Sequence, residues 1–296
     1  MSFNEYLASS ASATETHLSS VIAKKSKCGA DKLNDAIAYS LLDGGKRLRA
    51  YMVLEFCQLC GADTNIAMDY AAAIEMIHAF SLIHDDLPAM DNDDMRRGKP
   101  SNHKAFGEAT AILAGDSLAL DAFYVITGNQ LCSPEQNAEA MRLLSEKSGS
   151  MGMCAGQQCD IDGEGKRIPL AELTKLVDLK TGALFSCACM LGCIAAGADK
   201  RQKDAAEKFG IFTGRAFQIT DDLLDIHSTP EELGKTIGKD TESEKSTFPA
   251  LMGESGARRH AEECIFEAKR CLDCFSDSES KERLTEFCEY ILIRRK

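Results

Sequence analysis

SLIHDDLPAMDNDDMRRGKP, residues 81–100, packs Asp85, Asp86, Asp91, Asp93 and Asp94 into ten positions and follows them with Arg96 and Arg97. Apolar residues lead into it at spacings of three and four: Ala72, Met76, Phe80 and Ile83. That is the period of one helix face. Pro88 stands three residues past Asp85, where it ends or kinks the helix. The stretch therefore reads as a helix that stops at a carboxylate cluster, with the turn LPAM swinging Asp91 back toward Asp85. Acids are unfavourable at a helix C-terminus. A divalent cation offsets that cost, and Mg²⁺ takes oxygen ligands of this kind.

The same period recurs on both sides. Leu48, Met52, Phe56 and Leu59 form one stripe, and Phe209, Phe212, Ala216 and Ile219 another. Turn signals punctuate at GADTN (61–65), CSPEQN (132–137), DGEGKRIP (162–169), AGADK (196–200) and HSTPEELG (227–234). Strand signals are scarce. The pattern predicts an all-α fold, one domain over 1–296 with roughly ten or more helices around a central cavity.

A second acidic site is QITDDLLDIHS, residues 218–228. Asp221 and Asp225 are four apart, so a helix puts them on one face, one turn apart. Leu223, Leu224 and Ile226 give that helix an apolar setting, where unpaired carboxylates are costly. Cations accompany both sites. GGKRLR (44–49) sets Lys46, Arg47 and Arg49 behind two glycines at a helix start, an arrangement suited to phosphate. LKTGALF (179–185) adds Lys180 and Thr181, and the segment after the second site adds Lys235, Lys239 and Lys245. Two Asp clusters, a set of Lys and Arg, and apolar helix faces match an oily chain bearing a diphosphate.

Composition narrows the classes further. The chain has 296 residues, 44% of them hydrophobic, enough for a sizeable core. A net charge of −12 argues against nucleic acid or an anionic membrane as the main partner. Thirteen cysteines sit partly in apolar helical runs such as FSCACMLGC (185–193), where Cys behaves as a small hydrophobe. The CxxC pairs Cys57–Cys60 and Cys271–Cys274 also lie in helix-patterned sequence and read as buried. A reducing cytosol fits this usage. No secretory signal is visible. The run ALFSCACMLGCIAAGA (183–198) reads as too short to span a bilayer and as a tightly packed core helix.

DDLPAMD followed by RR resembles the first aspartate-rich motif of the short-chain trans-prenyl diphosphate synthases, in its bacterial and plastid form. DDLLD resembles the second. GGKRLR, EMIHAFSLIHDD, MCAGQQCD, KTGALF, FQITDDLLD and GKTIGKDTESEKSTFPAL stand in that family's order over about residues 35–255. The resemblance implies the isoprenoid synthase fold, a homodimer, and head-to-tail condensation of isopentenyl diphosphate with dimethylallyl or geranyl diphosphate. It implies that Asp85, Asp91 and Asp221 bind Mg²⁺, with Asp86, Asp222 and Asp225 in support. Arg96, Lys180 and Lys235 would hold the allylic diphosphate, and Lys46, Arg49, His78 and Arg97 isopentenyl diphosphate. Thr181 and Gln218 would sit near the allylic cation. The C-terminal IRRK resembles the family's basic closing tail. His84 and His103 read as structural.

Product length is read from Phe80 and Ser81, five and four residues before Asp85. A bulky ring there is a floor for the growing chain. In this family an aromatic at that place is similar to the farnesyl enzymes, which makes farnesyl diphosphate the expected product and geranylgeranyl diphosphate the alternative. Remoter alternatives are a terpene cyclase, which has no need of the basic set for a second diphosphate, and a non-catalytic partner subunit, which typically loses one aspartate motif.

Overall fold

The computed structural model describes residues 2–25, 29–227 and 246–294. Helices α1 (Phe3–Lys25), α2 (Asp31–Leu41), α3 (Leu48–Leu59) and α4 (Met68–Asp85) come first. A two-residue-stranded hairpin follows, β1 (Met95–Arg96) with β2 (Lys99–Pro100), in the register Met95 to Pro100 and Arg96 to Lys99. Then come α5 (Asn102–Phe106), α6 (Glu108–Gly128), α7 (Pro134–Ser148), α8 (Met153–Gly163) and α9 (Leu170–Val177). A π-helical turn, Asp178–Gly182, carries α9 into α10 (Ala183–Ala195). The chain ends with α11 (Lys200–His227), α12 (Phe248–Met252), α13 (Glu254–Cys271) and α14 (Glu279–Ile293).

Local chemistry sets the element ends. Ser133 caps α7, its hydroxyl accepting from the Gln136 N–H while the Gln136 side chain accepts from the Ser133 N–H. Such a capping box stabilises a helix by about 1 kcal/mol. Helix α4 stops at Asp85, as Pro88 predicts. The small hairpin is the one departure from the all-helical expectation among the described residues. Its turn places Arg97 at φ +53° and Gly98 at φ +79°, the left-handed pair that a two-residue hairpin favours.

The core is built around α10, whose residues are buried at all but one position. It packs against α3, α4, α7 and α11. Tyr51, Phe56, Phe185, Phe209 and Phe287 are fully buried, each stabilising the fold by about 2–3 kcal/mol. The three apolar stripes of the sequence face this core; only Phe80 and Phe212 among them are partly open.

The apolar run at 183–198 needs a correction. It belongs to a longer helical stretch, Leu170–Ala195, of 26 residues, which is long and apolar enough to cross a membrane; so are Thr64–Asp85 and Glu108–Gly128. In two of the three the apolar windows are mostly buried in the protein, 72% and 61%, whereas the Glu108–Gly128 window is 39% buried. The first two are apolar because they form the core. Helix α6 instead turns Ile112, Leu113, Leu120 and Tyr124 outward.

Candidate active site

The first acidic site is closed by its own backbone. After α4 ends, the Asp91 N–H donates to the Asp85 carbonyl at 2.9 Å and the Asp93 N–H to the Asp86 carbonyl at 3.2 Å. These bonds return Asp91 to Asp85, as the Pro88 turn requires. Burial, with Asp91 and Asp86 adding repulsion, raises the Asp85 carboxyl to about 6, although Lys180 and Arg96 pull it down. Asp86 is buried behind it and is raised by burial. Arg96 answers that charge: its Nε donates to both Asp86 oxygens at 3.0 and 3.3 Å, and one terminal nitrogen also bonds Oδ1. Arg96 further reaches Asp93 at 3.5 Å. It is thus engaged with the acidic turn.

Arg97, at the hairpin tip, donates to the Gly44 carbonyl at 2.6 Å. That bond joins GGKRLR to the acidic turn. Within GGKRLR the three cations part ways. Arg47 adopts φ +47° and is buried on Glu15 and Glu75, so it holds the fold. Its grouping with phosphate-facing cations is corrected by that burial. Lys46 lies over the Tyr290 ring at 5.2 Å. Arg49 lies over the Phe185 ring at 5.2 Å, with its Nε buried and without a partner among the described residues. Burial lowers Arg49 to about 10; Glu75 and Asp221 oppose this and Arg97 adds to it. His78 is held well below the usual histidine range by burial and by Arg49, Arg97, Arg47 and Arg96 around it. Burial and these guanidiniums therefore disfavour a charged imidazole at His78.

The third wall is the π-helical turn. Gly156 of α8 lets the Lys180 backbone approach: a Cβ there would meet the Lys180 nitrogen at 2.2 Å. The Lys180 ammonium pairs with Asp160 at 2.7 Å, one turn along α8, and still acts on Asp85. The Thr181 hydroxyl donates to Gln218 at 3.2 Å, and Gln218 donates to Asp222 at 3.0 Å.

The second acidic site is part of α11 with no break in the helix. Asp222 is buried and accepts the Phe248 N–H at 3.1 Å. Asp221 accepts from Arg294 at 2.6 Å, while that guanidinium also donates to the Phe217 carbonyl and stacks 3.6 Å over the Phe217 ring. Asp225 lies one turn further along. Lys235, Lys239 and Lys245 lie outside the described residues, as do Arg295 and Lys296.

Arg97 and Asp221 both act on Arg49, and Lys180 acts on Asp85, so charges of both acidic sites are felt among the same set of side chains. Ser81 turns its hydroxyl to the His78 carbonyl at 2.9 Å, and Phe80 is partly buried beside it. Sequence reasoning missed Asp160 as the partner of Lys180. It also missed Gln157, whose amide N and O are both buried without a partner in the described structure. Their signal was MCAGQQCD itself, whose polar residues recur on an otherwise small-residue helix.

Comparison with known proteins gives a consistent picture. A family model described as polyprenyl synthetase matches residues 30–290. A farnesyl diphosphate synthase of Geobacillus stearothermophilus is 44% identical over 260 residues, 87% of each chain. A chloroplastic geranylgeranyl pyrophosphate synthase of Catharanthus roseus is 42% identical over 265 residues, 89% of this chain and 74% of that one. The solved structure of an FPP/GFPP synthase from Zymomonas mobilis superposes with a TM-score of 0.86 at 33% identity, covering 98% of both chains.

Proposed function

The chain belongs to the polyprenyl synthetase family, and on that premise we propose that it condenses isopentenyl diphosphate with dimethylallyl and geranyl diphosphate to give (2E,6E)-farnesyl diphosphate. It is a prenyltransferase with the all-α isoprenoid synthase fold. The observation that carries the reading is the bond from Arg97 of the hairpin to the Gly44 carbonyl, which joins the GGKRLR cations to the first acidic turn, with the Arg49 guanidinium acted on by both Arg97 and Asp221. One basic cluster thereby serves both carboxylate sites.

Among the described residues no three Asp, Glu, His or Cys side chains are gathered closely enough to hold a metal ion, yet the chemistry of the donors suits a hard cation. Asp85, Asp91 and Asp221 offer oxygen only, and the Asp85 carboxyl is raised chiefly by burial, with Asp91 and Asp86 adding repulsion that a cation relieves. Asp85, Asp91 and Asp221 would hold Mg²⁺, with Asp86, Asp222 and Asp225 behind them. Held there, the metal would supply positive charge to offset that of the departing diphosphate. The remaining work falls to side chains. Arg96, Lys180 and Lys235 hold the allylic diphosphate. Lys46, Arg49, neutral His78 and Arg97 hold isopentenyl diphosphate, so the two reactants meet oriented. Thr181 and Gln218 turn oxygen dipoles toward the developing allylic cation. The apolar wall keeps water off it while the isopentenyl double bond attacks it to form the new C–C bond, and the departing diphosphate takes the proton lost by the condensed carbocation. Phe80, with Ser81 beside it, forms the floor that stops the chain at fifteen carbons.

We take residues 1–296 as a single domain, with α3, α4, α7 and α11 packed on α10. The outward Ile112, Leu113, Leu120 and Tyr124 of α6 suit a homodimer interface. The free thiols of the described cysteines suit the cytoplasm. The test is direct. Purified protein with Mg²⁺, labelled isopentenyl diphosphate and either dimethylallyl or geranyl diphosphate should yield a dominant fifteen-carbon product. A twenty-carbon product keeps the chemistry and overturns the floor. No condensation with either primer overturns the enzyme reading.

A further inference from the structure

We propose that His84 is a positioning residue for product length: seated in a notch at Gly115 of α6, it holds the Phe80 ring across the path of the growing chain. This rests on the reading of Phe80 as the floor.

Three observations fix the imidazole. A Cβ on Gly115 would lie 2.1 Å from His84 Nε2 and 2.4 Å from its Cδ2, so only glycine leaves room for the ring. Nε2 donates to the Ile112 carbonyl at 3.1 Å, one turn before Gly115 on the same helix. The Asp116 carboxylate lies 3.9 Å from Nε2. The ring is therefore pinned by shape and by a hydrogen bond to α6.

Phe80 lies one helical turn before His84, on the same face of α4. The two rings meet edge to face, 5.2 Å between centroids at 89°, a favoured aromatic geometry. Helical side chains lean toward the N-terminus, so the pinned imidazole leans onto the Phe80 ring. It fills the space on the α6 side into which that ring would otherwise rotate. Phe80 is then restricted to the orientation that closes the tunnel. Asp85 follows His84 directly but projects about 100° around the helix. His84 thus shapes the hydrocarbon end of the site, away from the diphosphate end.

Product chains sized for a set of variants test this. Phe80→Ala and His84→Ala should each raise the ratio of twenty- to fifteen-carbon product roughly tenfold. His84→Phe keeps a ring on Phe80 and should keep the fifteen-carbon product. Gly115→Ala expels the imidazole and should shift the ratio when His84 is present, but add nothing in the His84→Ala background. If Phe80→Ala lengthens the product and His84→Ala does not, the role of His84 is overturned and the floor stands. If Phe80→Ala changes nothing, the floor fails and the role of His84 with it. Should His84→Ala not fold, Gly115→Ala decides alone, and an unchanged ratio overturns the proposal.

Discussion

The two acidic sites reach similar chemistry by opposite routes. The first, Asp85 to Asp94, lies in a turn closed by its own backbone, and its buried Asp86 is paired by Arg96 only ten residues on. The second, Asp221 to Asp225, rides on an intact helix. Its carboxylates are tied by chain segments far away: Asp222 to the Phe248 N–H and Asp221 to Arg294 near the C-terminus. The first site is assembled locally and the second by packing. Damage to the first should therefore be felt at the mutated turn, and damage to the second should depend on whether α12 and the tail stay docked.

The sharpest break removes one carboxylate from each site. Asp85→Ala or Asp221→Ala should lower turnover by roughly 10³-fold or more while far-UV circular dichroism stays helical. Near-normal turnover in either variant would separate that site from the chemistry. Next, Arg96→Ala leaves Asp86 buried without its partner and should cost about 3 kcal/mol in urea unfolding. An unchanged midpoint would mean that the turn does not need the pair.

Titration sharpens the contrast further. Asp85 stands at about 6 in the fold against an ordinary 3.8. A carboxyl raised by burial binds its proton more tightly when folded. Its contribution is present in full below about pH 4 and is lost as pH rises through about 6. Asp85→Asn should then stabilise the metal-free protein by about 3 kcal/mol at neutral pH, while turnover is lost. Equal thermal midpoints of the two proteins across pH 4–8 would argue against the buried charge. The smallest effect is expected at the tail. Asp221 is more open, with a third of its side chain exposed, so Arg294→Ala should cost about 1 kcal/mol or less. A loss as large as that of Arg96→Ala would erase the distinction between local and packed assembly.

Some of the molecule was legible in advance and some was not. Residue spacing alone determined the helices, the stop at Asp85, the return of Asp91 and the shared face of Asp221 and Asp225. Each depends on interactions within a turn or two of helix, where sequence distance and spatial distance are nearly the same. The paired acidic motifs in family order made the chemistry readable too. What a cation does once the chain is folded was not readable in this way. Arg47 and Arg49 are two residues apart, yet Arg47 is consumed by Glu15 and Glu75 while Arg49 stays among the site charges. Lys180 finds Asp160, Arg294 finds Asp221, and His84 finds the space left by Gly115. Burial and the direction of a side chain decide those partners, and both are set by helices packing across long stretches of chain. Tertiary structure alone decided them, because the energy of a charge or a ring depends on what surrounds it and not on what precedes it.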